Sequence, residues 1–438
     1  MRDGPSAGAS RSREAHAAAG PALNSQLTTL NSAEREALAV DGLLPRHVAA
    51  PGAADEAARI LAWANESRLA VVPRGGGTRM SLGNVPRAYD LALSTQRLNR
   101  LLEHEPADLT VTVEAGLPLA ALQSRLRQKG QFLPLDPPAA AESTIGGVVA
   151  ANASGPFRLR YGSARDLVIG TQVATTAGTL ARSGGKVVKN VTGYDLNKLY
   201  VGSLGTLGLI TELTFKVQPL PESEVTLRAR FPDYGSACRC VGRVLRSPLT
   251  PSALELSRQA VAGQVELHAQ MAGFRKPVDR MVGDLAALAR DEGASAAEPL
   301  DDDGAAAAWR MLRDGPSPRD GAVLKIALPI SQVAWAAESA EQVAGQHGLA
   351  GRVFASAGVG VLRVGLEGEG DYAAAIRRLR ADATERYGWV QVERCPLALK
   401  SELDMLGEPG DSHAIMRRLK EQLDPGAIMS PGRFLGRL

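Results

Sequence analysis

The stretch LAVVPRGGGT, residues 69–78, passes from a short apolar run straight into three consecutive glycines. The apolar run has the length of a buried β-strand. Gly75, Gly76 and Gly77 carry no Cβ, so successive backbone N–H groups there can turn toward one anion. A diphosphate meets that demand; a tight loop with no ligand is the other reading of the same residues. Two familiar phosphate loops do not fit. No Gly-Lys-Ser/Thr ending follows, as in a P-loop, and the glycines lack the G-x-G-x-x-G spacing of a Rossmann turn.

The flanks of this loop predict a small α/β layer. Apolar residues at helical spacing cover 54–67, with Asp55 and Glu56 at the start, where the helix dipole favours acids. A strand at 109–114 leads through Gly116 into a helix at 119–129. From residue 146 to 219 the pattern changes to short β-rich runs (167–174, 179–181, 209–217) rich in glycine, with a helix near 196–201. That predicts an α+β segment with a mainly antiparallel sheet. Pro219-Leu220-Pro221 reads as a boundary.

Beyond it, strands are expected at 224–231, 253–256 and 265–269, with helices at 235–245 and 277–290. Asp301-Asp302-Asp303 reads as a loose acidic loop. A second round follows: strands at 322–328, 351–355, 360–366 and 390–393, and helices at 332–346 and 372–387. Two β-α-β-β-α-β rounds predict a ferredoxin-like layer. A last helix covers 413–423. Residues 1–40 are expected to be a disordered extension with one short helix near 32–39, order beginning near Leu44.

At 438 residues the chain suits two domains plus tails: 44–221 and 222–438. Its 50 basic and 47 acidic residues leave a charge of +3, too even for a dedicated nucleic-acid binder. Cys238, Cys240 and Cys395 form no disulfide framework and point to a reducing compartment, so a cytoplasmic site is expected. No run of about 18 apolar residues predicts a membrane span. The six histidines, His16, His47, His104, His268, His347 and His413, are scattered, so no metal site is expected. His268, on an alternating strand, is the one retained as a candidate.

More glycine loops add weight to the first. Ser143-Thr144-Ile145-Gly146-Gly147 precedes a run of small residues, with Thr144 able to donate to phosphate. Gly184-Gly185-Lys186 and the stretch 189–196, KNVTGYDL, follow, and then Gly202, Gly205 and Gly208 at spacing three. Three such glycines are awkward in a helix, at about 1 kcal/mol each against Ala. They suit a bare backbone beside a flat ligand, or a tight sheet crossing.

PRGGGT, TIGG, VKNVTGYDL and VGSLGTLGLITE, in this order, resemble the FAD-binding (PCMH-type) domain of the vanillyl-alcohol oxidase family. Within it, the chain resembles the FAD-binding (E) subunits of bacterial glycolate oxidases. The likeness covers about residues 45–221 and returns in LKEQLDPGAIMSPGR, residues 419–433, where Ser430 stands for the family's usual Asn. The resemblance implies an α+β fold: a two-subdomain FAD-binding domain followed by a ferredoxin-like FAD-linked oxidase C-terminal domain. It implies that Pro73, Arg74, Gly75, Gly76, Gly77 and Thr78 wrap the FAD diphosphate. Gly116, Pro137, Pro138, Thr144, Gly146 and Gly147 would line the flavin and ribityl side, with Asn152, Gly155, Tyr161, Gly162 and Ile210 nearby. Lys186 and Lys189 could add charge near the phosphates.

Some relatives attach FAD through a histidine just after the glycine loop. Thr78-Arg79-Met80 stands there instead, so non-covalent FAD is expected. Relatives that oxidise 2-hydroxy acids carry clustered histidines for a metal, and this chain has none in sequence. The resemblance therefore implies a subunit of a complex oxidising small 2-hydroxy acids such as glycolate. Its partners would be a second flavoprotein subunit and an iron–sulfur subunit, which could hold it peripherally at the inner membrane. A stand-alone 2-hydroxy-acid dehydrogenase and a structural flavin-binding subunit are the alternatives. Arg313, in WRMLR, is the candidate for the substrate carboxylate; a solvent-facing arginine beside a buried Trp309 is the other reading.

Overall fold

The computed structural model describes residues 27–185, 194–258, 263–318 and 320–438. Lys186, Lys189 and most of the KNVTGYDL stretch lie outside the described residues.

A four-stranded sheet carries the glycine triplet. It is built from β1 (Leu27–Thr29), β2 (His47–Ala49), β3 (Val71–Arg74) and β4 (Leu91–Ser94) in the order β1-β2-β4-β3. β2, β4 and β3 run parallel, and β1 is antiparallel at the edge. Helix Ala54–Glu66 covers the sheet through Ala57, Ile60, Leu61 and Ala64, one stripe at the helical period. Regular structure is therefore present well before Leu44, in β1 and in a helix at Ser32–Ala37. A three-residue strand, Leu-Thr-Thr with one buried side chain, is too short to show a period in sequence.

The second sheet is antiparallel throughout. It joins β5 (Leu101–Glu105), β6 (Thr110–Glu114), β8 (Val168–Ala174), β9 (Leu180–Gly184) and β10 (Leu209–Lys216) in the order β5-β6-β10-β8-β9. β7 (Gln131–Phe132) pairs with β11 (Gln218–Pro219) just before the chain leaves this part of the molecule.

The third layer is one eight-stranded antiparallel sheet. Its strands are β12 (Ser223–Phe231), β13 (Ala253–Arg258), β14 (Val265–Gly273), β15 (Ala296–Pro299), β16 (Ala322–Ala327), β17 (Ala350–Ser356), β18 (Val361–Glu367) and β19 (Trp389–Arg394). The order is β15-β12-β14-β13-β17-β18-β16-β19, two ferredoxin-like rounds fused edge to edge where β13 meets β17. One face is apolar: Leu254, Leu256, Leu324, Ile326, Val353, Ala355, Leu362 and Val364 pack under the covering helices. Strand alternation then sends Glu255, Lys325, Ser356 and Arg363 to the opposite face, toward the FAD-binding part.

Two further expectations need correction. Asp301 is no loose loop; its carboxylate accepts from Gly304 N at 2.8 Å and caps helix Asp302–Asp314. Nor does the chain from 222 to its end form one unit. After β19 it returns to the first sheet, where Val71 N donates to Ile428 O at 2.8 Å and Ser430 N to Val71 O at 2.8 Å. Ile428 and Met429 share the core of Ile60 and Leu61. Lys400 is buried against Asp41 at 2.8 Å, and Lys420 against Asp424 at 2.5 Å, so both ammonium charges are paired in the interior. Nothing in the spacing of 395–438 tells which layer receives it.

Candidate functional site

The triplet leaves β3 and runs directly under the start of helix Ile145–Ala150. Thr144 caps that helix, its Oγ1 accepting from Gly147 N at 3.4 Å. Between the two loops lies a cleft of about 790 Å³, counted with its open, solvent-facing side. Pro73, Arg74, Gly75, Gly76, Gly77, Thr78, Thr144, Gly146, Gly147 and Ile210 all line it.

The glycines are required by geometry at two points. A Cβ on Gly76 would stand 1.8 Å from the Glu142 carbonyl oxygen, and one on Gly75 2.0 Å from Thr144 Oγ1. Bare backbone thus serves the approach of one loop to the other as well as access for a ligand; the two readings of the triplet are not exclusive. Gly205 and Gly208, both with positive φ, also line the cleft.

Sequence reasoning missed Arg433. It enters the cleft from the C-terminal segment, its Nη2 held by the carbonyls of Met80 (2.8 Å) and Leu82, while Nη1 is buried without a partner. Burial pulls its pKa down. With Arg74 and Arg79 it gives the cleft three guanidinium groups, and among the described residues no carboxylate side chain lines it. Backbone donors, three cations and an apolar floor suit a diphosphate joined to a flat ring. FAD fits these residues. Arg433 was legible only as part of the PGR ending.

Seven expected residues do not line the cleft. Gly116 is a backbone crossing, where a Cβ would meet Thr95 O at 1.8 Å. Tyr161 belongs to an edge-to-face cluster with Phe132 (5.6 Å) and Phe157 (5.9 Å), and Gly162 follows it at φ +79°. Asn152 adopts φ +46° with its Oδ1 buried and unpartnered. Pro137 and Pro138 follow Asp136, whose carboxylate accepts from Gly155 N at 3.1 Å and Phe157 N at 3.0 Å. Burial still raises Asp136 to about 7.

Gly155 instead lines a second, narrow polar pocket between the FAD-binding part and the eight-stranded sheet, about 370 Å³ counted with its open side. Arg158, Lys325 and Arg363 bring three cations to it, and Glu255 one carboxylate. Arg363 is anchored by the carbonyls of Ser154 (2.6 Å) and Arg313 (3.2 Å). Its Nε lies 3.7 Å from Glu393, and Arg79 of the cleft lies 3.7 Å from the same carboxylate oxygen. The chain Arg79–Glu393–Arg363 therefore joins cleft to pocket. Glu393 stays below the usual carboxylate range because Arg363, Arg79 and Lys325 outweigh its burial. Burial pushes Lys325 down to about 8.

Arg313 does not line this pocket. It offers its carbonyl to Arg363, and its Nε lies 4.0 Å from Asp314. His268 is buried on β14 and held to about 4 by that burial. Among the described residues no group of three or more His, Cys, Asp or Glu could hold a metal ion, and no helix is long and apolar enough to cross a membrane. The pocket cations escaped the sequence reading, although two of the three break an apolar strand: Lys325 in AVLKIA, Arg363 in VLRVGL.

Residues 45–184 match the FAD binding domain family, and residues 220–384 match the C-terminal domain of FAD linked oxidases. D-2-hydroxyglutarate dehydrogenase of Xanthomonas citri pv. viticola is 31% identical over 427 residues, covering 89% of each chain. Glycolate oxidase subunit GlcE of Escherichia coli is 40% identical over 159 residues, 36% of this chain and 45% of that one. Subunit GlcD of Bacillus subtilis is 38% identical over 228 residues, about half of each chain (52% and 48%). Among solved structures, p-cresol methylhydroxylase with substrate bound superposes with TM-score 0.75 at 14% identity, covering 97% of this chain and 96% of that one, a likeness of fold. The chain belongs to the FAD-linked oxidoreductases in which an FAD-binding domain precedes an FAD-linked oxidase C-terminal domain, and its cofactor is FAD.

Proposed function

We propose that this chain holds FAD without a covalent bond and takes part in oxidising a small 2-hydroxy acid, as the FAD-binding subunit of a glycolate oxidase-like complex. The observation that carries the reading is the cationic pocket tied to the FAD cleft through Arg79, Glu393 and Arg363. A 2-hydroxy acid needs a cation for its carboxylate close to the ring that takes its electrons, and the FAD supplies that two-electron acceptor. Arg363, Lys325 and Arg158 hold the carboxylate. This moves the role from Arg313, whose side chain lies outside the pocket. Pro73 to Thr78 take the diphosphate, with Thr144, Gly146, Gly147 and Ile210 along the remainder of FAD. Gly116, Pro137, Pro138, Asn152, Tyr161 and Gly162 act one layer behind, shaping these loops. Among the described residues no histidine, cysteine or tyrosine lines the cleft, which supports non-covalent binding. The 40% identity with GlcE supports the subunit role, with a second flavoprotein subunit and an iron–sulfur subunit as partners in the cytoplasm or peripheral to the inner membrane.

Whole-length similarity to D-2-hydroxyglutarate dehydrogenase favours a second reading, a dehydrogenase that works alone. The test is anaerobic. The FAD-loaded chain is mixed with glycolate, D-lactate or D-2-hydroxyglutarate, alone and with its partner subunits, and the visible flavin band is followed. Bleaching only with partners supports the complex, and bleaching alone supports the second reading. No bleaching under either condition sinks both.

A further inference from the structure

Glu255 is the pocket residue for which carboxylate binding leaves no task. It sits on β13, 3% exposed, and points from the polar face of the sheet into the pocket of Arg158, Lys325 and Arg363. Ser356 faces it across from β17, and Oε1 is buried with no hydrogen-bond partner. A buried carboxylate oxygen left open costs free energy unless a ligand supplies a donor. The donors a 2-hydroxy acid brings are few: its carboxylate has none, and its one O–H is the group that must lose a proton.

From this geometry, and resting on the reading above, we infer that Glu255 is the catalytic base that takes the proton of the substrate hydroxyl. The O–H bond breaks and the proton goes to Glu255 Oε1. The O–H electron pair closes the new C=O bond, and the C–H pair leaves as hydride to FAD. The substrate loses two electrons and the flavin gains them, so no further reactant is needed. Arg363, Lys325 and Arg158 orient the acid so that the hydroxyl faces Glu255.

The groups around Glu255 come from five elements. Ser356 on β17 and His268 on β14 are its cross-strand neighbours, Arg363 lies on β18, Lys325 on β16, and Asp136 approaches from the FAD-binding part. Burial raises the Glu255 carboxyl to about 8, Arg363 opposing this and Asp136 adding to it. His268, held to about 4, is neutral across that range. A base must be ionised to act, so the rate of flavin reduction at saturating acid should climb with pH through about 8 and level off above it. The charge on Lys325, also lost near 8, affects binding and should appear in KM rather than in that limiting rate.

The experiment is stopped-flow reduction of the FAD-loaded protein, with partners if the wild type requires them. Glu255→Gln should keep its flavin spectrum and bind oxalate, an unreactive carboxylate, within about threefold of wild type. Its reduction rate should fall by about 10²–10⁴, and the residual rate should lose the pH inflection. A Glu255→Gln protein that holds FAD and is reduced at the wild-type rate overturns the assignment while leaving the proposed function standing. Should that variant not fold, the wild type decides: a limiting rate flat from about pH 6 to 9 overturns it. A wild type that no 2-hydroxy acid reduces overturns both together.

Discussion

The cleft and the pocket adjoin each other, yet they are made differently. The cleft is backbone: two glycine loops, a short capped helix and a glycine-spaced turn, each contiguous in sequence, with cations only at its margin. The pocket is side chain: single charged residues from β13, β16, β18 and the segment after Gly155, spread along the chain from Arg158 to Arg363. A backbone site depends on what is absent, the Cβ atoms. A side-chain site depends on charges balanced in the interior, where each loses its water and needs its partner. The two should therefore fail differently.

The largest effect should come from unbalancing the pocket. Glu393→Gln leaves Arg79 and Arg363 facing each other, with Lys325 nearby and no carboxylate between them. Breaking a buried pair by removing one partner costs about 3–5 kcal/mol. Urea unfolding should show a loss of that size, and the FAD-loaded protein should lose a similar amount. Equal stability of Glu393→Gln and wild type would show that the junction is solvated and the two sites are independent.

Gly76→Ala attacks the other side of the comparison. The added methyl has no room beside the Glu142 carbonyl, which is backbone and cannot swing away. Overpacking of this kind costs about 1–3 kcal/mol. Because the two loops must part to accept the methyl, FAD affinity should drop by at least about tenfold, which is 1.4 kcal/mol. Equilibrium titration of the apoprotein with FAD measures it. An alanine variant with unchanged FAD affinity would mean that the close approach of the loops does not shape the cofactor site.

The contrast also explains what could be read in advance. Gly75 to Gly77, Gly146 and Gly147 were visible because a run of residues without side chains has few uses, and every residue of the motif acts where it stands in the chain. The two ferredoxin-like rounds were visible from strand alternation and helical period. Their fusion at β13 and β17 was not, because edge pairing leaves no mark on the pattern of either strand. Gly116 and Tyr161, expected on the ligand side, lie off the cleft lining: one permits a backbone crossing and the other belongs to an aromatic cluster. Ser430, fully buried at φ +43°, occupies a left-handed position that Asn adopts more easily, which gives the family's usual residue there a backbone reason. The sequence showed the difference but not the dihedral angle.

Arg313 gives the smallest effect and tests the comparison most sharply. It was singled out from local sequence, as a charged residue beside a tryptophan, which is how a contiguous motif is recognised. The pocket is not contiguous. What Arg313 gives Arg363 is a main-chain carbonyl at 3.2 Å, and any residue at that position supplies it. The guanidinium itself is a third exposed; its Nε is buried without a hydrogen-bond partner and has Asp314 at 4.0 Å, a pairing worth little at that exposure. Arg313→Ala should therefore change stability and the KM for the hydroxy acid by no more than about 0.5 kcal/mol, roughly a factor of two. Steady-state kinetics of that variant beside Arg363→Met provides the check. If the Arg313 variant loses the acid as severely as the Arg363 variant does, the carboxylate lies nearer helix Asp302–Asp314 than the pocket suggests. The residue chosen from sequence would then be the better guide to the substrate.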